Sequence, residues 1–588
     1  MKVSQQIKML KLASLTLASI TMLGCSTEDD QPVNDTTVLS EQAVPAATGG
    51  VFTGTENKII INISPGSLPA DATLTVARLA SKTAAKGEVS SVSSGYRISL
   101  LDQNGSEVSA SEDIKLEFVV SSAPVHPQLG EVAEQSGSEW EGLKANFYRP
   151  STQQVVALTS NINGTFRAQL RTLQATTGAT VDAGKEVFMN ETFGNEAFFG
   201  GTIGLHEVLN GVTPANAVAL GVQVDLTKVP QGIVDVMIGT DLDAKDAALQ
   251  NSDITKALIK AGAVIGVKGV YATEAVEDNT MISAGLTCAL CHVNVTPTEF
   301  NMNAGTVALP IGVPSIDGIP NAKMNSGAIL ASTPFVVGAG QGTVDVLNSW
   351  EAGRFDVRAL PDNVLEDNEV NPTAYPPIWN FVDLEEQGYT IGWDGLFQSS
   401  AANNNGLASI SEAVYDLVMH SNGAFGTASG TLSPELSVTP PQSLLDALAA
   451  AETNATGNDI TEQKLLDIQD FMRSITSPAP GVFNEVDAEN GFELFYGKAN
   501  CSSCHSSADL TGPGLFKVTA VDPVGGLAGG IHVPSLRGIS STAPYFHDSS
   551  AQTLTDVIDQ KIAKTTVTGV PALTANEKLS LVEFLKSL

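Results

Sequence analysis

Two short cysteine motifs constrain this chain more than any other part of its sequence. Four of its five cysteines lie in residues 288–292 and 501–505, and both segments read Cys-x-x-Cys-His. This spacing places two thiols one helical turn apart, where they can add to the two vinyl groups of a haem, and the next residue presents an imidazole to the iron. The motifs predict two covalently bound haems c, attached through Cys288, Cys291, Cys501 and Cys504, with His292 and His505 as metal ligands.

A zinc site or a redox-active dithiol is the alternative use of these cysteines. Zinc needs further ligands close by, and the first motif has no second cysteine pair in its own region. A redox dithiol does not require the histidine. Five further histidines remain available as ligands: His126, His206, His420, His532 and His547.

The composition is that of a globular, strongly acidic protein. Of the 588 residues, 43% are hydrophobic and 16% are charged, with 64 acidic against 31 basic side chains and a formal net charge of -33. Such a charge argues against nucleic acid or anionic lipid as the main partner. A basic partner, which for a haem protein would be an electron-donor protein, or simply a salty milieu fits better. The alternative interpretation is that dispersed acidity only keeps an exported protein soluble.

The N-terminus predicts export and lipid anchoring. Lysines at positions 2, 8 and 11 precede an apolar run over residues 12–23 that is too short for a permanent bilayer span, which is typical of a signal peptide. The run ends in Met-Leu-Gly-Cys, which resembles a bacterial lipobox with Cys25 as the lipidated residue. We expect a signal peptide over 1–25, a flexible linker over 26–48, and an anchor on the periplasmic side of the cell envelope, in the outer membrane. A plain signal peptide with an incidental cysteine is the alternative.

Residues 49–175 alternate apolar and polar side chains with a period of two, in short runs separated by Gly, Pro and Asn turns. This pattern predicts an all-β sandwich. No residue of the segment is a candidate for catalysis, and His126, between two prolines in sequence, is interpreted as a loop residue.

From residue 176 onward, longer helical periods predominate and the chain repeats itself. Residues 461–475 match 574–588 in apolar spacing, and residues 181–188 resemble 486–495. The repeats predict a multidomain fold in which two mainly α-helical cytochrome c domains, 176–476 and 482–588, follow the sandwich. The first contains a large insertion with helices of its own.

The sequence around the second motif resembles the C-terminal domain of bacterial di-haem cytochrome c peroxidases and their MauG relatives. The resemblance lies in residues 533–538 (VPSLRG) and 543–548 (APYFHD), and residues 376–380 (PPIWN) and 392–395 (GWDG) resemble the N-terminal signature. Stretches at 286–292, 349–356 and 419–420 also resemble uncharacterised di-haem proteins that are distantly similar to rubber oxygenases. The resemblance covers about 180–588.

This resemblance implies a relay role for Trp393 between the haems; the alternative is an aromatic residue that fills a core. Peroxide chemistry needs an open haem position with an acid or base beside it, for which the candidates are His420, Glu412 and Asp394. The peroxidases of this family have a distal histidine shortly after the first haem motif, whereas no histidine lies between His292 and His420 here. The comparison with the family therefore implies an open first haem.

The second haem departs from the peroxidase pattern. Those enzymes place an axial methionine fourteen residues beyond the histidine of Pro-Tyr-Phe-His, and that position is Lys561 here. His547, His532 or Lys561 is then the candidate sixth ligand, and His547 is only weakly favoured. Without thioether ligation we expect a lower potential than in the peroxidases.

Together these features predict a redox protein in which one haem relays electrons and the other reacts with peroxide or oxygen. Two alternatives remain open: an electron-transfer cytochrome without catalysis, and an oxidase or oxygenase of an organic or protein substrate. We expect contact with the membrane through the lipid anchor alone.

Overall fold

The fold is described from a computed structural model of the chain. The structure describes residues 36–54, 56–80, 89–124, 126–173, 175–273, 279–355, 372–386, 390–393, 397–398, 462–513, 515–516, 531–564 and 572–588. Among these residues, no helix is both long and apolar enough to cross a bilayer.

Twelve strands occupy the N-terminal region. They form one sheet in the order β1-β4-β6-β12-β8-β9, in which β5 also pairs with β12, and a second sheet in the order β10-β11-β7-β3-β2. The strands are β1 Thr36–Val44, β2 Gly50–Thr53, β3 Ile59–Ile63, β4 Ala72–Leu79, β5 Val89–Ser91, β6 Tyr96–Asp102, β7 Ile114–Val119, β8 Gly130–Ser136, β9 Glu139–Gly142, β10 Ala145–Arg149, β11 Gln154–Thr159 and β12 Gly164–Arg171. We call residues 36–171 the β region.

The two sheets share one apolar core. Alternate residues of β3 and β7 are buried, as a period of two requires, and Tyr96 of β6 meets Phe118 of β7 edge to face at 5.8 Å between ring centroids. Strand β1 lies largely within residues 26–48, where the polar composition predicts a flexible linker. The prediction of a linker is wrong for Thr36–Val44, because this segment pairs along its length with β4.

Helices and short strands make up the rest of the described chain. The helices are α1 Ala179–Asn190, α2 Leu205–Gly211, α3 Pro214–Ala219, α4 Gln231–Ile238, α5 Leu242–Leu249, α6 Ser252–Lys260, α7 Ala289–His292, α8 Ser326–Ala331, α9 Pro334–Ala339, α10 Gln341–Asn348, α11 Phe381–Glu386, α12 Glu462–Arg473, α13 Glu485–Tyr496, α14 Leu554–Lys564 and α15 Ala575–Lys586. Helices α2–α6 lie between α1 and the first motif, where the sequence predicts an insertion.

The paired strands of this part are short: β13 Val224–Asp225 with β19 Ile311–Gly312, β14 Val267–Tyr271 with β15 Met281–Leu286, β16 Asn294–Val295 with β20 Pro314–Ser315, β17 Thr298–Met302 with β18 Gly305–Leu309, β21 Arg354–Phe355 with β22 Thr373–Ala374, β23 Thr390–Ile391 with β24 Phe397–Gln398, and β25 Leu515–Phe516 with β26 Ile531–His532.

Two helix pairs pack in the same way, α1 on α12 and α13 on α15. A Cβ built on Gly184 of α1 would lie 1.8 Å from the carbonyl oxygen of Asp467, and one built on Gly491 of α13 would lie 2.0 Å from that of Ser580. Glycine is therefore required at both crossings, because any side chain would collide with backbone. The aromatic contacts also correspond, with ring centroids 5.1 Å apart for one pair and 5.2 Å for the other; the pairs are Phe188–Phe471 and Phe495–Phe584.

The β region is docked on helix α13. Phe147 of β10 stacks on Phe492 at 5.8 Å between ring centroids, and both side chains are buried. Arg149 binds Glu489 beside this contact, at 2.6 Å from Nη2 to Oε1. The predicted domain boundaries and the assignment of sandwich and cytochrome c folds stay predictions.

Candidate haem sites and the contact between them

The first motif lies on a tight helical turn. Cys288 has helical backbone angles (φ -55°, ψ -27°) and precedes α7, so its thiol and that of Cys291, three residues later, project from the same side of one turn. Gly266 packs against this turn, because a Cβ there would lie 2.3 Å from the backbone nitrogen of Leu290. Both cysteines of the motif therefore lie on one helical turn, as their spacing predicts.

The surroundings of the first motif favour uncharged groups. Burial lowers the pKa of His292 to about 4 and raises the pKa of Cys288 to about 11. The pKa of Cys291 is raised to about 12 by burial, against the opposing effect of a hydrogen bond with Tyr375. At neutral pH the imidazole is therefore neutral, which is the form that binds iron. Its buried Nδ1 has no hydrogen-bond partner among the described residues.

The second motif orients its histidine through a backbone carbonyl. Residues Cys501–Ser503 form a 3₁₀ turn, and Nδ1 of His505 lies 2.6 Å from the carbonyl oxygen of Leu510. Because a carbonyl only accepts, the proton is on Nδ1 and the lone pair is on Nε2. Residues 501–505 therefore present Nε2 as a ligand, with the ring held in place before any iron binds.

The cysteine chemistry of the described residues fits haem attachment. All four motif cysteines are free thiols, and no group of three His, Cys, Asp or Glu side chains could hold a metal ion in the described part of the chain. A tetrahedral zinc site needs such a group. The donor set, two thiols and one imidazole at each motif, fits a haem c better than zinc.

Trp393 joins the two family signatures. Its ring meets that of His547 edge to face, at 6.3 Å between centroids. Its Nε1–H donates to the carbonyl oxygen of Ala374 at 2.9 Å, and its own carbonyl accepts from the backbone N–H of His532 at 2.9 Å. Ala374 in turn donates its N–H to the carbonyl oxygen of His547 at 2.6 Å. Trp393 is thus hydrogen-bonded to both halves of the helical part.

Tyr375 is a site residue that the sequence analysis missed. Its ring lies 6.4 Å from that of His292 between centroids, its side chain is buried, and burial raises its pKa well above the usual value. Tyr375 directly follows Ala374, whose carbonyl accepts the hydrogen bond from Trp393. Adjacent residues of the chain therefore contact His292 and Trp393. The position of Tyr375 immediately before the signature at 376–380 is the signal that could have indicated it.

The other predicted site residues lie in different parts of the chain. His547 and His532 lie beside Trp393, and burial lowers the pKa of His532. His126 lies in the β region near Arg537, and its pKa is lowered by burial and by that guanidinium. Four predicted residues lie outside the described residues: Cys25, Asp394, Glu412 and His420. For Lys561, only its place in helix α14 is described.

Comparison with known proteins gives one local sequence relative and weak structural likenesses. No family model matches the chain. The methylamine utilization protein MauG of Methylorubrum extorquens is 34% identical over 92 residues, which cover 13% of this chain and 25% of MauG. The chain therefore spans only a quarter of the length of this relative.

Among solved structures, a MauG-like protein associated with microbial copper homeostasis is 25% identical, with a TM-score of 0.19, over 23% of this chain and 59% of that protein. Hydrazine synthase of Kuenenia stuttgartiensis is 21% identical, with a TM-score of 0.18, over 24% of this chain and 62% of that protein. Scores this low carry no information on function. The local sequence similarity, over 92 residues, supports a relationship of this part of the chain to MauG.

Proposed function

We propose that the chain is a di-haem c-type cytochrome that transfers electrons between its two haem sites and reduces peroxide at the first. One haem c is held by Cys288, Cys291 and His292, and the other by Cys501, Cys504 and His505. The observation that carries the proposal is the hydrogen bond from His505 to the carbonyl of Leu510, because it fixes the tautomer that binds iron.

The chain's own residues supply binding, orientation and a connection between the sites. A bound haem c supplies a reversible one-electron couple and, where its sixth position is open, a place for peroxide or oxygen. His292 provides a neutral imidazole in a buried setting, and His505 provides one held by hydrogen bonding. Trp393, which contacts His547 and bonds to Ala374, holds the two signatures together and is the proposed relay residue.

The difference between the two histidines favours different roles for the two sites. Nδ1 of His505 bonds to a carbonyl, whereas the buried Nδ1 of His292 has no hydrogen-bond partner among the described residues. A histidine that donates from Nδ1 gives more electron density to its metal, so the second site is the proposed low-potential site. The first is the proposed site of peroxide reduction, with His420 or Glu412 as the proposed acid or base.

Export and partner follow from the N-terminus and the charge. We propose a lipid anchor at Cys25 that holds the protein on the periplasmic side of the cell envelope, in the outer membrane. The net charge of -33 supports a basic protein as the electron donor.

A second candidate function is an electron carrier without catalysis. The observation that favours it is the pair of histidines near Trp393: His532 is buried, and its Nε2 has no hydrogen-bond partner among the described residues. Such an imidazole is available as a sixth ligand, and a six-coordinate iron does not bind peroxide readily. The third candidate function is an oxidase of an organic or protein substrate, in which Trp393 carries oxidising equivalents outward.

The first experiment tests haem attachment by intact mass and absorption after production in a host that matures c-type cytochromes. The wild-type protein should carry two haems that resist acid-acetone extraction, and Cys291→Ala and Cys504→Ala should each lose one of them. Cys25→Ser is the matched control, because it changes a cysteine, removes the lipid and should keep both haems. A wild-type mass equal to that of the polypeptide, with or without lipid, contradicts the proposal.

A second experiment separates catalyst from carrier. Low-temperature electron spin resonance of the oxidised protein should show one high-spin iron, and peroxide should then change the absorption spectrum. Trp393→Phe should slow electron transfer between the sites while leaving both haems attached. Two low-spin irons that do not respond to peroxide would establish the carrier.

A further inference from the structure

Four charged side chains from three parts of the chain meet beside the second motif. Asp509 and Arg537 belong to the C-terminal part, Asp383 to helix α11 and Arg171 to the last position of strand β12. Asp509 is 0% exposed, Arg537 3% and Asp383 6%, and the side chain of Arg171 is 17% exposed. Charges this deeply buried persist only when they are paired. We call these four residues the junction cluster.

Asp509 is the centre of the junction cluster. Its Oδ1 lies 2.6 Å from Nη2 of Arg171 and 2.7 Å from Nε of Arg537. Burial lowers the pKa of Arg537, whereas the pKa of Arg171 is raised, because Asp509 and, more weakly, Asp383 act against burial there. The four side chains carry two positive and two negative groups, and Glu131 adds a further negative charge that acts on Arg171. Removal of one arginine would therefore leave an excess negative charge in the interior.

The junction cluster includes the sequence neighbour of Leu510, whose carbonyl oxygen orients His505. Asp509 directly precedes Leu510, whose carbonyl takes the hydrogen bond from Nδ1 of that histidine. The carbonyl of Asp509 accepts from Oγ of Ser535 at 2.8 Å, and Arg537 donates to the carbonyl of Ala508. The segment 507–511, which we call the acceptor loop, is thus fixed by side chains on both sides of the carboxylate of Asp509.

We propose that Arg171 is a positioning residue of the second haem site, through which the β region holds the acceptor loop and tunes the redox potential of that site. The inference rests on the proposed haem at Cys501, Cys504 and His505. It gives the β region a specific role: its strand β12 supplies one of the two guanidinium groups that hold the carboxylate next to Leu510.

The chain offers a matched control at the same interface. Arg149, also at the end of a strand of the β region, binds Glu489 through Nη2 at 2.6 Å and Glu117 through Nη1 at 3.0 Å. It therefore joins the same two parts of the chain with comparable ionic contacts. Because its contacts lie on helix α13 and strand β7, Arg149→Gln loosens the docking without changing the junction cluster.

The experiment compares Arg171→Gln, Arg171→Lys and Arg149→Gln in the full-length, haem-loaded protein. Hydrogen–deuterium exchange of the acceptor loop should become about tenfold faster in Arg171→Gln, the factor expected for the loss of one charge-assisted hydrogen bond. Arg149→Gln should leave exchange of that loop as in the wild type. Arg171→Lys keeps the charge with fewer donors and should lie between the two.

A redox titration supplies the second readout. One of the two midpoint potentials should be lower in Arg171→Gln than in Arg171→Lys, because loss of a positive charge near the site favours the oxidised iron. The other midpoint should stay the same in all three variants. If both midpoints and the loop exchange of Arg171→Gln match those of Arg149→Gln, Arg171 only docks the β region and the inference is wrong.

Failure of the proposed function gives a different result. A protein without covalent haem has no midpoint to titrate, yet exchange of the acceptor loop still reports whether Arg171 holds it. If Arg171→Gln does not fold, Arg171→Lys decides: unchanged loop exchange relative to the wild type overturns the inference, and faster exchange supports it.

Discussion

Replacement of Gly491 by alanine tests the close crossing of helices α13 and α15. The added Cβ would lie 2.0 Å from the carbonyl oxygen of Ser580, 2.6 Å from its carbonyl carbon and 2.8 Å from Cβ of Phe584. All three atoms belong to backbone or to the first side-chain carbon, so a change of rotamer relieves none of these contacts. The two helices must move apart by roughly 1 Å to restore ordinary van der Waals distances.

The expected loss of stability follows from two opposing terms. Alanine gains about 1 kcal/mol over glycine in a helix interior, whereas overpacking a tight core costs about 1–3 kcal/mol and occasionally more. Separation by roughly 1 Å also removes about a quarter to a half of the dispersion energy of each contact across the crossing, including the contacts of Phe584. We expect Gly491→Ala to lower the free energy of unfolding by about 2 kcal/mol. If the predicted domain 482–588, of roughly 100 residues, unfolds as one unit, this loss lowers its melting temperature by roughly 10 °C.

Thermal unfolding by circular dichroism and calorimetry measures this effect in the haem-loaded protein. Gly232→Ala is the control, because Gly232 also lies in a helix, and a Cβ there would meet no atom within 4 Å. It should be neutral or stabilising by up to about 1 kcal/mol. Gly184→Ala should behave like Gly491→Ala, since its Cβ would lie 1.8 Å from the carbonyl oxygen of Asp467. If Gly491→Ala is as stable as the wild type, the helices can separate at little cost and the reasoning is refuted.

Three further predictions concern the β region, the acid stability and one buried turn. Phe147→Ala should cost about 3–5 kcal/mol and expose the β region to proteases, with Phe147→Leu as the milder control, because its buried ring stacks on Phe492. Hydrogen bonding to Lys498 lowers the pKa of Glu577 from 4.5 to about 2, so its stabilisation is present above pH 4.5 and is lost as the pH falls toward 2. Denaturant unfolding should therefore show a shallower pH dependence in that window for Glu577→Gln than for the wild type, and an identical slope would contradict this. Asn380→Ala should lower the unfolding free energy by about 1–3 kcal/mol, because Oδ1 of Asn380 accepts from the buried backbone N–H of Ser477 at 2.9 Å. Asn380 also has a φ of 56°, which alanine adopts less readily. Equal melting curves for the variant and the wild type would argue against a structural role for this bond.

Some features of the fold and the site could be predicted because their signal is local or repeats along the chain. The cysteine and histidine spacing of each motif depends on a single helical turn, and the turn is present at both motifs. The matching of residues 461–475 with 574–588 correctly indicated that α12 and α15 have equivalent surroundings, down to the glycine that each one contacts.

Other features lack any local signal. Strand β1 has the polar composition of a linker and becomes a strand only because β4 offers it an open edge. Tyr375 is a site residue only because the chain folds back onto His292. The proposed catalytic residues Glu412 and His420 lie outside the described residues and stay predictions.

By itself, the sequence predicted haem attachment at the two motifs, and it determined the acidic character and the matching apolar spacing of the closing helices. These depend on residues a few positions apart or on patterns that recur, so they are visible before the chain folds. Only the tertiary structure decided that Arg171 reaches Asp509, 338 residues away, and that Asp383 joins them. Single charged residues form no periodic pattern in the sequence, so their burial cannot be predicted from it. They form a buried ion pair only when distant segments of the chain fold together and exclude water.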